Sequence, residues 1–436
     1  MKAMPTFDAS EIGPHRTVSK AWKWWLCIVL FLATMLNYLD RQTMSVCAPL
    51  ICKEFQLNNE QFGDLLAAFR WTYAFTHIPA GFIADRFSLR LFYGCAVGLW
   101  SLAGALAFWV ASVGVFKWTR GLLGIGEAFN WPCATRIVAN MLPRPDRGLA
   151  MGIFNSGAAA GSLIAPFIIA PIAVSLGWRY AFLIIGALGA LWIILWWCVT
   201  RGRTGVFSTA KEDRPKAANA ADVVRPFGVI LSHPGFWLLI LVSITINPCW
   251  YFLCEWSTKY MHDVRGFTVL GAGIITVPIF LGGDLGNFLG GGIVKYLCDK
   301  KGFSVRQGRA AAVAVGAVLV LPVVFISHIE NPYIALGLLA VAGLGITSIV
   351  PNQTACQPEV SFRNTAQLAG LTGCAANIFA AFLNPQIGKY IDKTHNYDLV
   401  FLCLAIFPLI TLGAIVLFDT IIARQREREG KKGEDV

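Results

Sequence analysis

Apolar positions run along this chain in long stretches broken by short polar segments, and the length of the stretches settles the first structural question. Twelve of them are almost wholly apolar: 22-50, 60-84, 91-112, 114-142, 149-175, 179-200, 234-261, 268-297, 310-328, 332-357, 366-391 and 398-422. A helix rises about 1.5 Å per residue, so about 20 apolar residues cross the roughly 30 Å hydrocarbon core of a bilayer. The pattern predicts an all-α, polytopic membrane protein with twelve transmembrane helices. The polar interruptions divide it into an N-terminal segment 1-21, a six-helix bundle 22-200, a linker 201-233, a second six-helix bundle 234-422 and a tail 423-436. The linker reads "RGRTGVFSTAKEDRPKAANAADVVRPFG" over most of its length, polar and punctuated by Pro and Gly. Phe87-Ser88-Leu89-Arg90 after the second span and Phe303-Ser304-Val305-Arg306 after the eighth echo each other, as expected of two parallel repeats.

Composition agrees: 56% of the 436 residues are apolar and 14% charged, against roughly 25% charged in soluble domains. The first stretch is too long for a signal-peptide core and is expected to remain as the first helix. The net charge of +11 changes meaning once its charges are located. Of 36 Lys and Arg, 24 fall in the termini and in loops on their side, and seven on the other. That asymmetry predicts both termini in the cytoplasm, and it makes the basic charge a matter of topology rather than of nucleic-acid binding; the membrane is expected to be of the bacterial inner-membrane type. The twelve cysteines are scattered singly with no CxxC pair and are expected to be free thiols.

The five remaining basic residues, Arg41, Arg70, Arg120, Arg136 and Lys295, lie inside predicted spans, with the acids Asp40, Glu127, Glu255 and Asp284. In "FLATMLNYLDRQT" (31-43), Asp40 and Arg41 fall roughly 27 Å along the helix from Trp22, a depth at which ionisable groups are costly and mark function. Arg120 and Glu127 are seven apart and share a helix face. The topology sets Arg41 and Arg120 at similar depth, where planar guanidiniums can clamp a carboxylate; a structural ion-pair network locking the first and fourth helices is the other reading. Arg70 reads either as a third cation for the ligand or as the partner of Asp40 or a carbonyl. His77 is expected to be a helix-packing residue. Glu255 is expected either to pair across the cavity or to lie at the outer interface, and Asp284, amid Gly282, Gly286 and Gly290, to sit at a close helix contact. Trp250, Tyr251 and Phe252 beside Asn247-Pro248 suggest a broken helix with aromatics facing a ligand.

"GFIADRFSLR" (Gly81 to Arg90) resembles the G-x-x-x-D-R-x-G-x-R signature of the major facilitator superfamily, with Ser88 where Gly is usual. "NYLDRQT", "RGLLGIGEAFNWP" (Arg120 to Pro132), "GIFNSGAAAGSLIAP" (Gly152 to Pro166) and "NPCWYFLCEWSTKY" (Asn247 to Tyr260) resemble its anion:cation symporter family, in particular the hexuronate and galactonate carriers. The resemblance implies a secondary transporter importing a sugar-acid anion with protons by alternating access. Arg41 and Arg120 would hold the carboxylate, Asp40 and Glu127 would take protons, and Tyr38, Tyr73 and Asn377 would line the pocket. Arg70 and Trp250 join the pocket as candidates, and Gly81, Asp85, Arg86 and Arg90 would gate the conformational change. Departures from the pattern are Asn247 where hexuronate relatives often have Asp, Ala158 for a pocket Gln, and Arg70 and His77 for uncharged residues. An organic- or phosphate-anion exchanger of the same fold is the alternative, and a non-transporting receptor a more distant one. Nucleotide-loop, HExxH and His/Cys metal patterns are absent from the sequence, so no enzyme, cofactor or metal is expected. The expected partners are a small carboxylate, protons and the lipid bilayer, with no nucleic acid, and the protein is expected to be a monomer.

Overall fold

The computed structural model of the chain describes residues 19–86, 88–142, 144–203, 207, 230–360 and 365–434. The first half holds α1 (Lys20–Phe55), α2 (Asn59–Arg86), α3 (Leu89–Leu106), α4 (Val113–Glu127), α5 (Asn130–Met141), α6 (Arg144–Ser175) and α7 (Trp178–Thr200). The second holds α8 (Pro234–Asp263), α9 (Val269–Ile275), α10 (Val277–Lys301), α11 (Val305–Val320), α12 (Pro332–Val360), α13 (Thr365–Thr394) and α14 (Asp398–Glu434). Short 3-10 segments extend α3 and α11.

Among the described residues, ten helical segments are long and apolar enough to cross a membrane, counting α9 with α10 as one. The other two predicted spans are α2, which carries Asp64 and Arg70 within its length, and the α4–α5 pair. The fold is that of a polytopic, all-helical membrane protein.

Four local expectations are corrected. The span 114-142 is two helices with a turn at Ala128 and Phe129, because Pro132 cannot donate the N–H that would bond the Ala128 carbonyl. The span 268-297 is likewise divided at Thr276, just before Pro278. Pro248, by contrast, does not break α8, which runs through it. Asn247 Nδ2 donates to the Ser243 carbonyl at 3.0 Å and so supports the helix beside the proline. Lys295, expected to be buried, is exposed on α10.

Within the first half α1 packs on α6 and α7, α2 on α4, and α3 on α7; within the second, α10 and α11 pack on α12, and α13 and α14 on α8. Indole N–H groups tie the first half together: Trp22 donates to the Val199 carbonyl at 2.9 Å, Trp192 to Val29 at 2.8 Å and Trp196 to Arg90 at 2.9 Å. The halves meet where α2 lies on α13 and α1 on α8, with α6 touching α9 and α10. At the end remote from the termini, Asp392 of α13 accepts from the backbone N–H groups of Asn59 and Glu60, both at 2.9 Å. A carboxylate from one half thus caps the first turn of a helix in the other, where orphan donors and the helix dipole favour negative charge.

Lipid offers no hydrophobic drive between helices, so close backbone approach matters. Gly282, Gly286 and Gly290 sit at such a contact: a Cβ on each would overlap the carbonyl oxygens of Ala340, Leu344 and Ser348 on α12. Gly286→Val is therefore expected to force α10 off α12 and destabilise the protein by about 1–3 kcal/mol. A thermal-unfolding series in detergent should show a clear drop in melting temperature, whereas Gly291→Val, with open space at its Cβ position, should leave it unchanged.

Candidate functional site

Three helical stripes converge midway along the bundle. Tyr38, Arg41, Gln42 and Ser45 recur at helical spacing on α1; Leu66, Phe69 and Arg70 do so on α2; Trp250, Tyr251, Cys254 and Glu255 face them from α8. Together with Arg120 of α4 they line a narrow cavity with about 510 Å³ of empty space, part of it open to solvent.

Phe69 is the hub of this cavity. The guanidinium carbons of Arg41 and Arg120 each lie 5.1 Å from its ring centre, and that of Arg70 lies 5.8 Å away. Arg41 also stands 5.3 Å from the Tyr38 ring and 4.9 Å from the Tyr73 ring, and Arg70 is 3.6 Å from the Tyr251 ring. Aromatic faces attract cations electrostatically and displace water, so they hold the three charges in place without neutralising them.

The carboxylates finish the arrangement unequally. Arg41 Nε donates to Glu127 Oε2 at 2.7 Å, and Glu127 is fully buried. Arg70 Nε donates to Glu255 Oε1 at 2.9 Å, its Nη2 reaches the same oxygen, and its Nη1 donates to Asn377 Oδ1 at 2.9 Å. Arg120 is left with Nε and Nη1 unpartnered while only 4% exposed, and Nη2 of Arg41 and Oε1 of Glu127 are unpartnered too. A buried donor without a partner costs about 1–3 kcal/mol, more when charged, so an anion able to accept from these groups would relieve that cost. Two guanidiniums with three free nitrogens suit the two oxygens of one carboxylate.

The sequence-derived candidates fall in distinct places. Arg41, Arg120, Arg70, Tyr38 and Trp250 line the cavity; Tyr73 contacts Arg41, and Asn377 reaches it through Arg70. Asp40 does not share this cavity with its chain neighbour Arg41, since adjacent helical residues point about 100° apart. It faces Gly104 of α3 and lines a smaller cavity of about 200 Å³ with Thr119 and Arg120. Arg120 therefore stands between Asp40 and the central cavity. Arg70 pairs with Glu255, not with Asp40 or a carbonyl, and Glu127 pairs with Arg41 rather than with Arg120 of its own helix. His77 stacks on Tyr73 at 5.4 Å. Phe252 turns from the cavity into the second half, against Trp256 and Phe401. Arg90 donates to Thr200 Oγ1 at 2.9 Å and packs on Trp197. Of the other gating candidates, Gly81, Asp85 and Arg86 end α2, and their side-chain surroundings lie outside the described residues. Phe69, Gln42 and Ser45 were missed; the i, i+3, i+4, i+7 stripe through Tyr38 and Arg41 contains Gln42 and Ser45, and that through Leu66 and Arg70 contains Phe69.

A family model, the Major Facilitator Superfamily, matches residues 30–385. The chain belongs to that superfamily. It is 27% identical over 412 residues to the hexuronate transporter of Escherichia coli (strain K12), covering 92% of this chain and 94% of that one. It is 25% identical to the probable galactarate/D-glucarate transporter GarP of the same strain, with 93% and 96% covered, and 28% identical to the probable sulfoacetate transporter SauU of Cupriavidus necator, with 94% and 95% covered. Among solved structures, a bacterial homolog of the human lysosomal transporter Spinster, in an inward-facing and unoccupied conformation, superimposes with a TM-score of 0.73 at 21% identity, covering 93% of this chain and 96% of that one. That superposition supports the superfamily's fold.

The buried Arg41–Glu127 pair makes a prediction independent of any ligand. Glu127→Ala leaves a buried cation without its counter-ion and is expected to destabilise the protein by about 3–5 kcal/mol, while Arg41→Met with Glu127→Ala, which removes both charges, recovers most of that loss. Thermal unfolding of the two variants beside the parent protein checks it; equal damage in both would mean that packing, not charge, is what Glu127 supplies.

Proposed function

We propose that the protein is a secondary active transporter that imports a sugar-acid anion, a hexuronate or aldonate, by symport with protons, working by alternating access in the cell membrane. The observation that carries this reading is the set of unpartnered nitrogens on Arg120 and Arg41 in an aromatic-lined cavity. The relatives' names support the ligand class, since they include hexuronate, galactonate and galactarate/D-glucarate transporters. Tyr38, Trp250 and Tyr251 supply ring faces for a sugar carbon skeleton, and Gln42, Ser45 and Asn377 supply partners for its hydroxyls.

The proton enters through Glu127. A substrate carboxylate that takes over Arg41 leaves Glu127 buried without its counter-ion, and a proton then neutralises it. Substrate and proton thus favour each other's binding, and the coupling is reciprocal. Charge bears on direction: an inside-negative potential drives a lone anion outward by about 2.3 kcal/mol per charge per 100 mV, and one accompanying proton cancels that, leaving the proton gradient to drive import. Asp40, on the far side of Arg120, is the other candidate proton site on this reading, and Gly81, Asp85, Arg86 and Arg90 serve the conformational change.

Uptake of labelled galacturonate and galactonate into proteoliposomes, with and without an acidic exterior, tests the function; accumulation that ignores the pH gradient would favour an exchanger. Arg120→Lys keeps the charge and loses the planar fork, and it is expected to weaken carboxylate binding at least tenfold, about 1.4 kcal/mol, in a protein that still folds. Near-parental affinity would remove Arg120 from the clamp. Glu127→Gln mimics the protonated acid, so counterflow exchange should persist while accumulation driven by the pH gradient falls to the equilibrium level. A Glu127→Gln carrier still responding fully to the gradient would place the coupling proton elsewhere.

A further inference from the structure

Of the three guanidiniums in the cavity, Arg70 alone is answered from the opposite half of the bundle. Every one of its nitrogens is engaged, two by Glu255 Oε1 of α8 and one by Asn377 of α13. The other oxygen of Glu255 accepts from Asn384 Nδ2 at 3.0 Å, and Asn384 Oδ1 accepts in turn from Trp256 Nε1 at 3.1 Å. Glu255 is therefore aimed at Arg70 and held there, in the position that a ligand's carboxylate would take. Arg120 and Arg41, on the other side of Phe69, keep unpartnered nitrogens. Because all three guanidinium carbons lie 5.1 to 5.8 Å from one ring centre, any two of them are within about 11 Å of each other. A six-carbon chain with a carboxylate at each end, plus a hydrogen bond of about 2.8 Å at either end, covers a distance of that order.

We infer that Glu255 sets the charge class of the substrate by acting as an internal carboxylate ligand of Arg70, so that the cavity accepts a sugar acid with one carboxylate and turns away diacids. The inference rests on the reading that the cavity takes a sugar acid. A single carboxylate docks at Arg120 and Arg41. A second one, at the far end of the same skeleton, meets not a free guanidinium but the negative charge of Glu255, which it must displace. Discrimination of this kind comes from a repulsive group placed against the wrong ligand, rather than from better contacts to the right one. Glu255 is a positioning residue here: it acts through Arg70 and the ligand's far end.

The test compares galacturonate with galactarate, which share a carbon skeleton and differ by a second carboxylate, in binding to the purified full-length protein by calorimetry. The parent protein is expected to bind galacturonate at least tenfold more tightly. Glu255→Gln, which leaves Arg70 charged and open, should shift the ratio of the two affinities at least tenfold toward galactarate, and galactarate should raise its melting temperature more than it raises that of the parent protein. Glu255→Asp should restore the parental preference. Arg70→Gln with Glu255→Gln, which removes both charges, should lose the gain for galactarate; keeping it would show that Arg70 is not the group released. If Glu255→Gln is recovered only unfolded, Asn384→Ala, which frees one side of Glu255, should move the ratio severalfold in the same direction. Parental protein that prefers galactarate, or a ratio unmoved by these variants, overturns the inference while leaving a sugar-acid carrier intact. Parental protein that binds neither compound overturns the sugar-acid reading and this inference with it.

Discussion

Placing three guanidinium groups midway along a membrane-spanning bundle is the constraint to which the rest of this structure answers. Removing a single ion from water costs several kcal/mol even after the protein relaxes, and the cost is met only where geometry and further hydrogen bonds are good. The chain meets it in two ways. Phe69 gathers all three cations around one ring, and Tyr38, Tyr73 and Tyr251 add further faces. Glu127 and Glu255 then neutralise Arg41 and Arg70 from different helices. Arg120 receives neither carboxylate, and this imbalance is what the proposed substrate site rests on.

Charge also explains where the two halves of the bundle hold together. Arg41, Arg70 and Arg120 all come from the first half; Glu255, Asn377 and Asn384 come from the second. The Arg70–Glu255 pair therefore crosses the boundary at mid-depth, continued by Asn384 and Trp256 into the packing of the second half. Nearby, Ser45 of α1 donates to the Glu255 carbonyl at 3.3 Å. Farther along the same seam, Asp392 caps α2. Polar contacts of this kind can be exchanged for water or for a ligand. The glycine contacts between α10 and α12, where backbones touch, cannot be exchanged without loss. Backbones touch across the seam as well, where Gly63 and Gly388 bring α2 against α13, so the halves are held by close packing in addition to charge.

The spans were legible in the sequence because run length alone carries the signal, and the superfamily was legible in the charged motifs of the first half. The breaks within spans were harder to read. Pro132 and Pro278 interrupt helices while Pro248 lies inside one, a difference that no local pattern states. Pairing among the buried charges was the least legible feature. Sequence places Asp40 beside Arg41 and Glu127 two turns from Arg120, yet the structure pairs Arg41 with Glu127, because helix rotation sends neighbours to different faces and brings distant helices together. Glu255 could be seen as a buried acid, but its partner on α2 depends on how the halves dock, which is tertiary information.

Counting the charges around the cavity ties the proposed proton coupling to the geometry. With its acids ionised, the first half presents three cations, Arg41, Arg70 and Arg120, against two anions, Asp40 and Glu127, and so carries one positive charge; Glu255 of the second half balances it. Counted with Asp40, which lies behind Arg120 and outside the cavity, the buried cluster is then neutral on the proposed reading, and a low-dielectric interior tolerates the closing of the halves around it. A monoanionic substrate upsets that balance by one negative charge, and one proton restores it. Occlusion of substrate without the proton, or of the proton without substrate, would bury a net charge that nothing in the cavity answers. On the proposed reading, symport needs no dedicated coupling device. It follows from the requirement that whatever closes inside the bundle be neutral, with Glu127, whose second oxygen lacks a partner, as the group best placed to take up the difference.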